Sequence, residues 1–243
     1  MENNMLQLSG TERIDTVSAN SAPAVIRARD IVKKVDSSGN ALTILDGISL
    51  EVRAQESLAI CGSSGSGKTT LLSILAGMDT PSSGAVFLNA NNIAEMDEED
   101  RAKVRASEVG FVFQSFQLIP SLSALENVML PLELKRDKEA KIKAEHFLTK
   151  VGVGHRQSHL PHQLSGGEQQ RVAIARAFAC APRILFADEP TGNLDTKTGR
   201  YIMDLLFELN QEQSATLVLV THDEHLAERC DRRIYLAEGK IVA

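Results

Sequence analysis

The sequence predicts an α/β fold: a mainly parallel sheet core with an N-terminal antiparallel β subdomain and a helical insert subdomain. Three observations predict it. From residue 57 onward in the 243-residue chain, short apolar runs alternate with helical stretches, the pattern of strands joined by crossover helices. Ahead of them lie two β-rich runs, 25–35 and 41–52, separated by the turn cluster Asp36-Ser37-Ser38-Gly39-Asn40, which predicts an antiparallel hairpin. In the middle, residues 123 to about 151 are helical without an intervening strand, and so read as an insert.

The elements follow in order. Residues 57–60 form a short apolar strand leading into a glycine-rich turn, and 69–76, with Leu71, Leu72, Ile74 and Leu75, suit a buried helix. A strand at 85–88 precedes a charged helix at 97–105, whose Asp97-Glu98-Glu99-Asp100 start complements the helix dipole. Residues 109–113 are a strand. Within the insert, Pro131 is expected to interrupt the helix and the Lys/Glu-rich 135–143 to face water. A helix at 168–179, a strand at 183–187, a helix at 198–213, a strand at 216–220 and a last strand at 232–236 complete the alternation. The polar start carries Glu2, Glu12 and Asp15 without an apolar signal region. The expected division is a loose leader over 1–23 and one domain over 24–243, its helical subdomain at about 115–165.

Composition narrows the function. A net charge of −6 argues against a surface built to cover a nucleic-acid backbone, and 4% aromatics with no Trp argue against a base-stacking platform. Any phosphate must therefore be held by a local device. The most apolar region, 172–187, contains Arg176 and Arg183, so no spanning helix is expected. The surface reads as cytosolic. Cys61, Cys180 and Cys230 are odd in number, far apart and without C-x-x-C, which predicts small buried thiols.

The local device is Gly62-Ser63-Ser64-Gly65-Ser66-Gly67-Lys68-Thr69, a G-x-x-x-x-G-K-[ST] phosphate loop between a strand and a helix. Glycines let successive N–H groups curl around phosphate oxygens, the helix N-terminus adds positive potential, and Lys68 supplies a point charge to the β and γ phosphates. The Thr69 hydroxyl can ligate Mg²⁺. Asp188 and Glu189 end the apolar strand Ile184-Leu185-Phe186-Ala187, at the strand end where open α/β sheets place ligands. There Asp188 would hold Mg²⁺ and Glu189 would activate water. A third element is Leu164-Ser165-Gly166-Gly167-Glu168. Its Ser165 and Glu168 form a capping box, which leaves the two glycines unexplained. A second phosphate-binding helix end would explain them.

Taken in order, the phosphate loop, Gln114 after a strand, Leu164-Ser165-Gly166-Gly167-Glu168, Asp188-Glu189, Asn193-Leu194-Asp195 and Thr221-His222-Asp223 resemble the ATP-binding cassettes of ABC transporters, from about residue 24 to 243. Phe113-Gln114-Ser115-Phe116-Gln117-Leu118-Ile119-Pro120 and Glu126-Asn127-Val128 are similar to the branch containing MacB, LolD and FtsE. The resemblance implies a phosphate-loop NTPase cassette and a homodimer closed head to tail around two ATP. Each ATP would lie between residues 62–70, Thr70 included, of one subunit and Ser165, Gly166 and Gly167 of the other. It further implies that Gln114 senses Mg²⁺ and the attacking water, Asp195 connects the two sites, and His222 contacts the γ-phosphate. The implied partner is an integral-membrane permease of MacB-like character. The cassette would sit peripherally on the cytoplasmic side of the inner membrane, touching it only through the permease.

Two departures stand out. Val35 occupies the place where the family has an adenine-stacking aromatic, and Gln55 stands where a turn glycine is common, strained if φ there is positive. The resemblance leaves three functions open: export or extraction of a hydrophobic or envelope-derived compound, a force-transmitting or regulatory ATPase on a membrane partner, and a soluble ATPase on DNA or ribosomes. The last lacks its marks, long coiled coils or a second cassette in the chain.

Overall fold

The computed structural model describes residues 22–37 and 40–242. The hairpin forms as expected: β1 (Ala24–Ser37) pairs antiparallel with β2 (Asn40–Arg53), although residues 38 and 39 of its turn lie outside the described residues. So does the expected leader, apart from residues 22 and 23. Then come β3 (Ser57–Cys61), α1 (Lys68–Leu75), β4 (Ser83–Leu88), β5 (Asn91–Asn92) and α2 (Glu98–Glu108). Next are β6 (Val109–Phe113), α3 (Ala124–Leu134), α4 (Ala140–Lys150) and α5 (Gly166–Ala179). The chain closes with β7 (Ile184–Asp188), α6 (Thr196–Gln213), β8 (Thr216–Val220), α7 (Glu224–Ala227), β9 (Arg232–Ala237) and β10 (Lys240–Ile241).

Two sheets result. The first is antiparallel, in the order β2-β1-β4-β5; the second runs β10-β9-β3-β8-β7-β6, all parallel except for β10. Burial in the second sheet follows strand position. All five residues of β8 are buried and the first four of β7, whereas β6 at the edge alternates, because central parallel strands are covered on both faces. Successive side chains point to opposite faces. Leu185, Ala187, Leu217 and Leu219 join α3, α4, α5 and α6 in one apolar core. Ile184, Phe186, Val218 and Val220 join α1 and the antiparallel sheet in another. The parallel order β3-β8-β7-β6 has one functional consequence. The segments that follow these four strands begin at Gly62, Thr221, Glu189 and Gln114, so the candidate motifs emerge along one carboxyl edge.

Some expectations need correction. Pro131 does not interrupt the insert; α3 runs through it, and the break falls at residues 135–139. One lost N–H bond is outweighed because Ala124, Val128 and Leu132 are buried in the core and Asn127 anchors the preceding loop. In the break, Asp137 accepts from the Glu139 N–H and from Lys143 in the first turn of α4. Helix α5 begins at Gly166 rather than 168, since capping outweighs glycine's poor propensity. Cys61 is buried, but Cys180 and Cys230 are only half-buried. Gln55 has φ 64°, as its position required, and its N–H donates to Thr216 Oγ1 at 2.9 Å. Among the described residues, no helix is long and apolar enough to cross a membrane.

Candidate active site

The loop after β3 is shaped by glycine. A Cβ on Gly62 (φ 145°) would overlap the Leu236 carbonyl oxygen, and one on Gly67 (φ 102°) would lie 2.9 Å from Leu45 Cδ2 and 3.0 Å from the Ile44 oxygen. Lys68 opens α1 with only 6% exposure, and its Nζ donates to the carbonyls of Gly62 and Ser63 at 2.9 and 2.8 Å. The ammonium is thus held by its own loop, and those carbonyls offset the cost of burying it. Ser66 is turned inward, with a buried Oγ that has no partner.

Thr69 follows Lys68, and its Oγ1 donates to Asp188 Oδ1 at 3.3 Å, which joins two of the three predicted Mg²⁺ residues, Gln114 being the third. Burial pushes the Asp188 carboxyl up from the usual range. Ser64, Gly65, Gly67, Lys68, Thr69, Thr70, Gln114, Asp188 and Glu189 all line one cleft of about 420 Å³. Sequence reasoning missed its Ile44, which is skipped at one of the β1–β2 register slips, between the pairs Lys33–Leu45 and Lys34–Thr43. Val35 is not among the lining residues; it pairs with Leu42 on the hairpin and is 39% exposed.

Glu189 has φ 42°, a left-handed conformation that costs about 1–3 kcal/mol in a non-glycine residue. Its N–H donates to the Val220 carbonyl at 3.0 Å, and its Oε1 lies 3.2 Å from His222 Nδ1. The structure therefore brings His222 to the carboxylate. Gln114 is fixed from the same side: its Nε2 donates to Asn193 Oδ1 at 3.2 Å, and Asn193 Nδ2 returns a bond to the Gln114 carbonyl at 3.0 Å. A Cβ on Gly192 would sit 2.7 Å from Gln114 Nε2, so a larger residue there would displace the amide from this position. Glu189 and His222 also line a second cavity of about 700 Å³ together with Asp195 and Arg200. Asp195 caps α6 through the N–H groups of Lys197 and Thr198, and the Thr198 hydroxyl, followed by its N–H, holds the carboxyl below the usual range.

Ser165, Gly166 and Gly167 line neither cavity. The capping box is present: Glu168 Oε2 accepts from the Ser165 N–H and hydroxyl at 2.8 Å, while the Glu168 N–H donates to Ser165 Oγ. With Arg156 on its other oxygen at 2.9 Å, Glu168 is pulled down to about 2, chiefly by the Ser165 N–H. The glycines also have a reason inside the chain, since a Cβ on Gly167 would lie 2.7 Å from Thr198 Cγ2 and one on Gly166 3.3 Å from Leu194 Cδ2. Further along α5 are two contacts that sequence reasoning missed. Gln170 Nε2 donates to the Pro190 carbonyl at 2.6 Å, and Arg176 donates to the carbonyls of Gln117 and Phe116 at 2.6 and 3.0 Å. Their only signal was two polar residues among the apolar ones of Val172-Ala173-Ile174-Ala175-Arg176-Ala177-Phe178 and its approach.

The family model described as ABC transporter matches residues 45–192. The ABC transporter ATP-binding protein YbbA of Escherichia coli K12 is 54% identical over 222 residues, which cover 90% of this chain and 97% of YbbA. The lipoprotein-releasing system ATP-binding protein LolD of Acinetobacter baylyi is 46% identical over 218 residues, 88% of this chain and 96% of LolD. Among solved structures, the dimeric ATP-binding cassette MJ0796 in a post-hydrolysis state with ADP and Pi superposes with a TM-score of 0.84 at 40% identity, covering 90% of this chain and 97% of that one. With the phosphate loop, paired carboxylates and capped glycine helix end in the order the sequence announced, the chain belongs to the ABC transporter family, as an ATP-binding and ATP-hydrolysing cassette.

Proposed function

We propose that this chain powers a membrane transport complex from its cytoplasmic side: two copies close head to tail around two ATP and drive a separate permease of MacB-like character. The cargo of such a complex would be a hydrophobic or envelope-derived compound leaving the inner membrane. The observation that carries the dimer is the split site. Lys68, Thr69, Gln114, Asp188 and Glu189 share one cleft, whereas Ser165, Gly166 and Gly167 of the same chain lie outside it. A helix N-terminus with N–H groups to offer can complete the site only from a second copy.

The residues present fit Mg-ATP. Lys68 is already among the loop carbonyls, from which Nζ can turn to the phosphates, and the glycine loop presents its N–H groups around them. Thr69 Oγ1 and Asp188 Oδ1 form the pair that would hold Mg²⁺, with Gln114 lining the same cleft. Among the described residues no group of three or more His, Cys, Asp or Glu could hold a metal by itself, which suits an ion bound mainly through substrate phosphates. When bound, the ion neutralises charge on the phosphoryl oxygens. Glu189 takes the proton of the attacking water, and His222, on Glu189 Oε1, faces the same reacting group. Asp195 stands in the adjoining cavity, where it would meet the second copy.

An apolar groove of about 390 Å³ supports the permease contact. It is lined by Phe113, Gln117, Leu130, Leu134, Arg176 and Cys180 among others, and Leu134 is 76% exposed. The test is co-purification from detergent-solubilised membranes with wild-type and Leu134→Asp chains. A multi-span membrane partner that is retained by the wild type and lost by the variant is expected. A ribosome or DNA partner would refute the proposal.

A further inference from the structure

Glu189 holds a left-handed backbone immediately before a proline, whose ring narrows the conformations open to it. Three hydrogen bonds restrain this turn. The Glu189 N–H donates to the Val220 carbonyl and the Glu189 carbonyl accepts from the Gly192 N–H, both at 3.0 Å. The third holds the Pro190 carbonyl, and its donor is the side chain of Gln170 on α5. The first two join backbone groups and survive most substitutions; the third depends on one residue type.

Gln170 is an expensive choice for that place. It is 0% exposed, and its Oε1 is buried without a hydrogen-bond partner. A methionine of similar length would fill the space and leave no acceptor unsatisfied. The amide orientation is fixed by its partner, because a proline carbonyl only accepts and so must face the Nε2 side. What the amide adds is therefore a donor aimed at the peptide beside Glu189.

We infer that Gln170 is a positioning residue for ATP hydrolysis: by donating to the Pro190 carbonyl it locks the turn that aims Glu189 at the attacking water. The inference rests on Glu189 being the general base. It also gives α5 a second task, since the helix that begins at Ser165 to Gly167 sets the geometry of its own chain's base about one turn further on.

The test compares purified full-length chains in ATPase assays and thermal melts. Gln170→Met should lower kcat about tenfold or more, keep KM for ATP within about twofold, and melt no lower than wild type. Wild-type kcat overturns the inference, and so does a kcat loss matched by a falling melting temperature or a rising KM. Gln170→Glu supplies an independent readout, because a protonated carboxyl donates to the Pro190 carbonyl and a carboxylate cannot. Its kcat relative to wild type should rise as pH falls from about 8.5 to 6, burial having raised the new carboxyl's pKa; a flat ratio overturns the inference. Glu189→Gln in the same series should be silent, and full turnover in that variant would overturn the base assignment instead.

Discussion

In the proposed site, Lys68 is how an acidic protein would bind phosphate. Its ammonium is almost fully buried and satisfied by two carbonyls of its own loop, so the positive charge is stored where it is needed. Removing the side chain deletes that charge and leaves the Gly62 and Ser63 carbonyls facing the phosphates. Lys68→Ala should therefore reduce ATP turnover about 100-fold or more, measured by phosphate release; undiminished turnover would refute the site. The glycines of the loop act by a different cause. Gly62→Ala should abolish soluble folded protein or lower its melting temperature sharply, because its Cβ meets backbone at Leu236. Gly65→Ala meets no atom within 4 Å and bears only the strain of φ 78°, so its melting temperature should fall much less. Asp188 illustrates the opposite electrostatic problem. Burial raises its pKa, and a cation shared with Thr69 would restore the ionised form.

Helix α5 ties these residues together. Ser165 and Glu168 cap its start, Gln170 holds the Pro190 carbonyl, and Arg176 holds the carbonyls of Phe116 and Gln117, both left-handed at φ 60° and 46°. The cap has a pH signature. Glu168 falls from an ordinary 4.5 to about 2 in the folded chain, so its ionised contribution is complete above about pH 4.5 and is lost as pH drops toward 2. Glu168→Gln keeps the capping geometry without the charge. Urea denaturation should show it about 1–2 kcal/mol less stable at pH 7, with the deficit shrinking below pH 4.5; a deficit independent of pH would refute the assignment. Much of this architecture was legible in the sequence. β6 and β8 fall on the expected residues because short apolar runs bounded by polar ones admit one register. The carboxyl-edge motifs were legible because each follows a strand. Pro131 misled because packing of Val128 and Leu132 outweighs one missing bond, which no local rule reports. Ile44 was hidden by a register slip on β2. Asn193, Gln170 and Arg176 reach partners 20 to 79 residues away, a distance that spacing rules do not cover.

On the proposed reading, a single copy of the molecule is half a site. Its cleft offers Lys68 and the loop on one side of a phosphate, and its own α5 N-terminus, which lies outside that cleft, leaves the first N–H groups of a helix without intrahelical partners. Pairing head to tail would join each half to its complement, and the joining would be strongest while the γ-phosphate is in place, because charge-assisted bonds from both copies would converge on it. Hydrolysis removes that link, so the wild-type dimer should be short-lived. Replacing the base lengthens its life without weakening binding: Glu189→Gln with excess Mg-ATP should elute from a size-exclusion column at twice the monomer mass and return to the monomer when nucleotide is omitted. The contact can be tested separately with Gly166→Asp in that background. A carboxylate at the first position of α5 favours the helix dipole within its own chain, and the new Cβ would ask the Leu194 side chain, 3.3 Å away and only half-buried, to shift by a few tenths of an ångström, so the fold should hold. Across the interface the same carboxylate faces the partner's phosphates and repels them. The double variant should remain monomeric with ATP while melting near the parent temperature. A dimer unaffected by Gly166→Asp would show that α5 does not form the contact, and a Glu189→Gln chain that stays monomeric at saturating ATP would refute the split site.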